Sequence, residues 1–135
     1  MFIQNNYSDE IHKDLENILS LLNYKILSSE KDRLEFLFKK QLQSLKNALN
    51  RKDVPEELYY VFLYRIVGEF LNIKFSGNDL KIENLNLEPM ITQITRGDVS
   101  TSFKGNSQQE IFSALIYDLI NFGKNEIYQY RRIGW

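Results

Sequence analysis

The chain has no cysteine and a single histidine, and both scarcities narrow its chemistry. Without thiols there is no disulfide, no thiolate nucleophile and no cysteine-based metal site, which fits an intracellular origin. His12 has Glu16 one helical turn on, the start of a zinc site, but no second histidine or cysteine exists to complete it. A solvated helix face is the simpler reading of that pair. Phosphate-loop and nucleophile-elbow patterns are missing, as are internal repeats and low-complexity segments. Glu56, Glu57 and Glu69 suit capping and solvation better than acid–base work. No catalytic residue, cofactor or metal ligand is therefore expected. The formal net charge is −1, so no global basic field points to nucleic acid. The longest apolar run, 59–64, falls far short of the roughly 18 residues that span a bilayer. The opening MFIQNNYSDE lacks a basic stretch followed by an apolar one, so no signal peptide is expected.

What is present is the composition of a globular domain. Hydrophobic residues make up 43% and charged residues 26% of the 135, which argues against disorder and predicts one domain, 1–135, with a real core. Its most apolar stretch is VPEELYYVFLYRIVGEFLNI, at 54–73. Leu58, Val61, Phe62, Ile66, Phe70 and Leu71 recur at helical spacing, and Tyr59, Leu63, Tyr64 and Val67 fill much of the remaining circumference. A helix apolar nearly all round is a central one. Pro55 suits a first turn, where its missing N–H is not needed, and Glu56 and Glu57 suit the positive end of the helix dipole. Gly68 sits mid-helix at a cost of roughly 1 kcal/mol relative to alanine, which predicts a close packing contact there.

Ahead of this helix, Ser8 caps a predicted helix over 9–22 with the stripe Ile11, Leu15, Ile18, Leu19 and Leu22. A second helix is predicted over 29–50, with Glu30 and Asp32 near its start and Leu34, Leu37, Phe38, Leu42, Leu45 and Leu49 as its apolar stripe. Glu35 and Lys39 form a favourable i,i+4 pair on its other face. The short connection 51–53 makes the second and central helices antiparallel neighbours. Beyond them, 74–88 reads as a loop with a Gly77-Asn78-Asp79 turn and one short strand, ended by Pro89.

Residues 90–103, MITQITRGDVSTSF, read as a β-hairpin. Met90, Thr92 and Ile94 share one face of the first strand, and Val99, Thr101 and Phe103 one face of the second. A two-residue turn at Arg96-Gly97 or Gly97-Asp98 keeps both sets on the same side. Open hairpin edges invite pairing with another chain. Either the hairpin simply packs on the bundle, or it is an assembly element that reaches a neighbouring subunit, with Thr92, Ile94, Arg96, Gly97, Asp98, Val99, Thr101 and Phe103 as the candidate subunit interface. The tripeptide Arg96-Gly97-Asp98 needs no adhesive role, since glycine and aspartate belong in a turn. Ser107 and Glu110 make a capping box for a last helix over 108–122, with Gly123 as its C-cap. An extended tail, 124–135, follows. Tyr128, Tyr130, Arg131, Arg132 and Trp135 are of the types enriched at interface hot spots, and are the candidate docking residues. The fold class expected is mainly α: a bundle of about four helices, a β-hairpin inserted before the last, and an extended C-terminal tail.

Several of these segments, taken in order, resemble the head–tail connector (adaptor, head-completion) proteins of tailed bacteriophages and prophages. They are LLNYKILSSEKDRLEFLFKKQLQSLKNALN at 21–50, VPEEL at 54–58, VGEFL at 67–71, ITRGDVSTSF at 94–103 and YRRIGW at 130–135. The polar segment 74–88 and the Asn-rich beginning depart from the family pattern. The resemblance implies a non-enzymatic structural subunit that forms a ring, dodecameric when assembled, below the portal protein. Such a ring extends the DNA channel without sequence-specific binding and receives the stopper or tail-completion protein. It implies a place in the bacterial host cytoplasm during assembly and then in the neck of the virion, with no membrane partner. Another neck or tail-completion protein, or the adaptor of a tail-like particle, is the nearest alternative. A small helical DNA-binding regulator is the alternative from another class, and it needs a basic recognition helix that the charge-balanced helices here do not offer.

Overall fold

A computed structural model describes residues 2–95 and 107–132. Six α-helices are present among them: α1 (Asp9–Ser20), α2 (Lys31–Leu49), α3 (Tyr59–Ser76), α4 (Glu88–Thr95), α5 (Gln108–Ile120) and α6 (Lys124–Tyr130). Single 3-10 turns precede α2, α3 and α4, at Ser28–Glu30, Glu56–Leu58 and Ile82–Asn84. No strand occurs among the described residues; an isolated bridge joins Phe2 to Pro55.

The helix α3 is the centre of the bundle, as its all-round apolarity predicts. It packs against α1, α2 and α5, and buries Phe62, Leu63, Ile66, Val67, Phe70 and Leu71 completely. Burial of each such side chain contributes about 1.5–3 kcal/mol. The helix α2 runs antiparallel to it. Glu30 at the start of α2 meets Lys74 near the end of α3, and Lys40 and Gln41 reach Glu69. The stripes predicted for the first two helices are the faces that are buried, and the Ser8 hydroxyl accepts the Ile11 N–H at 3.2 Å. The sequence places the end of α3 at residue 73, but three more residues are helical. Lys74 finds a buried carboxylate there, which makes the extra turn worth forming.

Antiparallel to α3 on another side lies α5. Phe75 meets Phe112 with ring centroids 5.1 Å apart, and Tyr64 meets Phe122 at 4.8 Å. Between these pairs the backbones close in at Gly68. A Cβ placed there would lie 2.7 Å from Leu119 Cβ and 3.0 Å from the Ile120 backbone nitrogen. This is the close contact that a glycine in mid-helix predicts. Gly68→Ala gains about 1 kcal/mol of helix propensity and loses about 1–3 kcal/mol to overpacking. The contact includes backbone, which cannot rotate away, so a net loss of up to about 2 kcal/mol is expected, read from urea unfolding.

Three expectations are overturned. The first arm of the hairpin, 90–95, is helical: it belongs to α4. Leu87, Met90 and Ile91 are buried and Ile94 is half-buried, which is the i, i+3, i+4, i+7 pattern of a helix. Pro89 opens α4 in its first turn, a position proline tolerates, rather than merely ending a loop. The second arm, with Val99, Thr101 and Phe103, and the turn Arg96-Gly97-Asp98 lie outside the described residues. The strand expected within 74–88 is also absent; Ile82, Leu85 and Leu87 anchor that segment on the core, and the Asn86 N–H donates to Leu22 O at 3.0 Å.

The extended tail is the third. Gly123 does not close the last helix as a simple C-cap; at φ +76° it turns the chain from α5 into α6. The helix α6 packs against α2 and buries Ile127. After it the Arg132 N–H donates to Leu49 O at 2.8 Å, and the Asn50 side-chain amide donates to Arg132 O at 3.3 Å. Helix carbonyls at a C-terminus lack intrahelical partners, and the returning chain supplies one. Asn50 itself caps α2 in the left-handed conformation, which asparagine tolerates.

Candidate functional site

Opposite charges rarely sit inside a small core unless paired. Here Glu30 and Lys74 are both buried and bonded to each other. The sequence marks Glu30 as a capping acid, and it does accept the Leu27 N–H at 2.9 Å. Its second role appears only in three dimensions. The Tyr24 hydroxyl donates to the same carboxylate at 2.8 Å, while Lys74 Nζ stands 5.3 Å from the Tyr24 ring and 5.9 Å from the Phe70 ring. Aromatic faces attract such a cation. Burial works to raise the Glu30 pKa, but the hydrogen bonds from Lys74, Leu27 and Tyr24 outweigh it and hold the carboxyl below its ordinary value. Burial likewise works to lower the Lys74 pKa, and its bonds to Glu30 and Tyr24 raise it above the usual ammonium value instead. Burial raises the Tyr24 phenol. The arrangement is a charged, mutually bonded pair, not a free acid or base.

This pair lies at the floor of a groove. On one side a recess of about 460 Å³ is lined by Tyr24, Lys25, Leu27, Lys74, Asp79 and Lys81, among others. On the other a recess of about 370 Å³ is lined by Leu27, Ser29, Glu30, Arg33, Lys74 and Asp79. Leu27, Lys74 and Asp79 are common to both, so the two form one continuous surface. The sequence gives no hint of it, because residues 24–33 and 74–81 are brought together only by the antiparallel packing of α2 and α3.

The residues singled out in the sequence fall elsewhere. Thr92 is exposed and Ile94 half-buried on α4, which packs on α5. Arg96, Gly97, Asp98, Val99, Thr101, Phe103 and Trp135 lie outside the described residues. Tyr128 is 75% exposed and Arg131 and Arg132 are exposed at the end of α6. Tyr130 is instead half-buried against the core, and its carbonyl accepts from Arg51 at 3.5 Å. His12 accepts or donates one bond with the Tyr7 hydroxyl at 2.6 Å and stands 3.8 Å from Glu16. Among the described residues no group of three or more histidines and carboxylates is placed to hold a metal ion. Among them too, no helix is long and apolar enough to cross a membrane.

A comparison of the chain with family models, with curated proteins and with solved structures finds no match in any of the three.

Proposed function

We propose that this chain is a head–tail connector subunit of a tailed bacteriophage or prophage, a structural protein that assembles as a ring below the portal. What carries the reading is the ordered set of segments that resemble that family. Three of them fall where the bundle is held together. Val54 and Pro55 of VPEEL receive the N-terminal arm, with the Ile3 N–H donating to Val54 O at 2.8 Å and Phe2 bridged to Pro55. Gly68 of VGEFL is the closest approach of α3 to α5. Arg132 of YRRIGW closes the chain on the end of α2. Segments that fix one bundle geometry together support a shared framework better than scattered matches do. A ring needs two different patches on each subunit. The exposed side chains Tyr128 on α6 and Arg131 and Arg132 just after it, and the segment that begins on α4 at Thr92, are the proposed pair. DNA passing through the channel would be held by no specific contact.

The test is electron microscopy of the purified chain mixed with the portal protein encoded nearest to it. A ring of this protein on the portal is expected, weakened in Tyr128→Ser/Arg131→Ser with no change in melting temperature. These exposed positions are chosen because truncating the tail would remove Ile127 from the core. A chain that stays free of the portal would sink the reading.

A further inference from the structure

The groove over Lys74 is more cationic than the rest of the molecule. Four cationic side chains (Lys25, Arg33, Lys74 and Lys81) and two carboxylates (Glu30 and Asp79) line it. That is a surplus of two positive charges on a chain whose formal net charge is −1. Glu30 and Lys74 neutralise each other at the floor. Lys25, Arg33 and Lys81 make no ion pair with any described residue. Leu27 stands between the two recesses with 56% of its surface exposed, and Leu80 and Leu85 add apolar wall beside it. A large aliphatic side chain left in water between unpaired cations matches an amphipathic, anionic occupant.

From this geometry we infer that the groove binds a short acidic and aliphatic segment of a partner polypeptide, its aliphatic side chain on Leu27 and its carboxylates toward Lys25, Lys81 and Arg33. A polypeptide fits better than a nucleic acid strand because the apolar element at the centre is aliphatic. No exposed aromatic ring offers a base a stacking platform there; Tyr24, the ring that lines the recess, is half-buried and turned to Glu30. The floor is preorganised: Glu30 and Tyr24 hold Lys74 in place, so the occupant meets a fixed surface rather than ordering one. The inference stands on the groove alone and does not depend on the connector reading.

The experiment uses the full chain and three short fluorescent peptides, alternating glutamate with leucine, glutamate with serine, and lysine with leucine. Anisotropy should show binding of the first, at least about tenfold weaker binding of the other two, and loss of affinity with added salt. Lys25→Glu/Lys81→Glu and, separately, Leu27→Ser should each weaken the first peptide by at least about tenfold while leaving the melting temperature unchanged, since these side chains are exposed. Backbone amide shifts in NMR should centre on residues 25–33 and 79–81. Absence of binding, equal binding of the lysine peptide, indifference to the charge reversals, shifts centred elsewhere, or displacement by duplex DNA as readily as by unlabelled peptide would each overturn it.

Discussion

Lys74→Met should lower the unfolding free energy by about 3–5 kcal/mol, the usual cost of leaving one member of a buried ion pair without its partner. The methionine is close in length and apolar, so little packing is lost; what remains is Glu30, buried with a charge that no cation offsets. The double variant Glu30→Gln/Lys74→Met should recover most of the loss. The glutamine still accepts from the Leu27 N–H and Tyr24, and nothing charged remains in the core. Urea unfolding of the three proteins measures this directly; a single variant as stable as the parent would show that Lys74 does not compensate Glu30. The pair also sets a pH dependence. Burial opposes the ionised Glu30 but its hydrogen bonds outweigh burial, so its folded pKa lies below the unfolded one. Its contribution is present above the unfolded value, roughly 4.3, and is lost as pH falls through the depressed folded value. For Lys74, whose folded pKa is raised, the contribution is complete below the unfolded value of roughly 10.4 and is lost as pH rises through the folded one. Between these limits the pair gives a flat profile. In Lys74→Met the loss of stability on the acid side should shrink, because Lys74, first among the groups that lower the Glu30 pKa, is gone while burial still raises it.

Gly123→Ala is the second large effect expected, a loss of about 2–5 kcal/mol. Two costs add. The residue sits at φ +76°, where an L side chain costs about 1–2 kcal/mol. A Cβ there would also lie 2.6 Å from Val61 Cγ1 and 3.0 Å from Val61 Cβ, a further overpacking cost of about 1–3 kcal/mol. Val61 is buried and β-branched, so it has no free rotamer to retreat to. Val61→Ala/Gly123→Ala should recover the overlap but not the backbone strain. Additive losses in that double variant would show that the two residues do not meet. Because Gly123 turns α5 into α6, the substitution should also loosen α6 and speed hydrogen exchange at the Arg132 amide, which donates to the Leu49 carbonyl.

Where the structure follows the sequence, the cause is a period that one residue pattern can satisfy in one way. The stripes of α1 and α2, the all-round apolarity of α3, the Ser8 cap and the Gly68 contact are of this kind. At 87–94 the pattern admitted two readings. Met90, Thr92 and Ile94 alternate as a strand would, while Leu87, Met90, Ile91 and Ile94 recur as a helix does. Threonine and isoleucine favour the strand by propensity. Burial of Leu87, Met90 and Ile91 together decides for the helix, and local propensity yields to that packing. The helical return of the tail is hidden for a similar reason. Tyr128, Arg131 and Arg132 advertise exposure, whereas the burial of Ile127, the single buried residue of α6, and the bond from the Arg132 N–H to the Leu49 carbonyl of α2 are invisible until these segments meet.

By itself, then, the sequence determined a helical core with α3 at its centre, because helical periodicity is local and α3 has only a narrow polar stripe to give to solvent. Only the tertiary structure decided the helical state of α4, the return of α6 onto α2, and the joining of Tyr24, Glu30 and Lys74 under a cationic groove. Each of these depends on residues tens of positions apart, and no spacing along the chain records which of them will be neighbours.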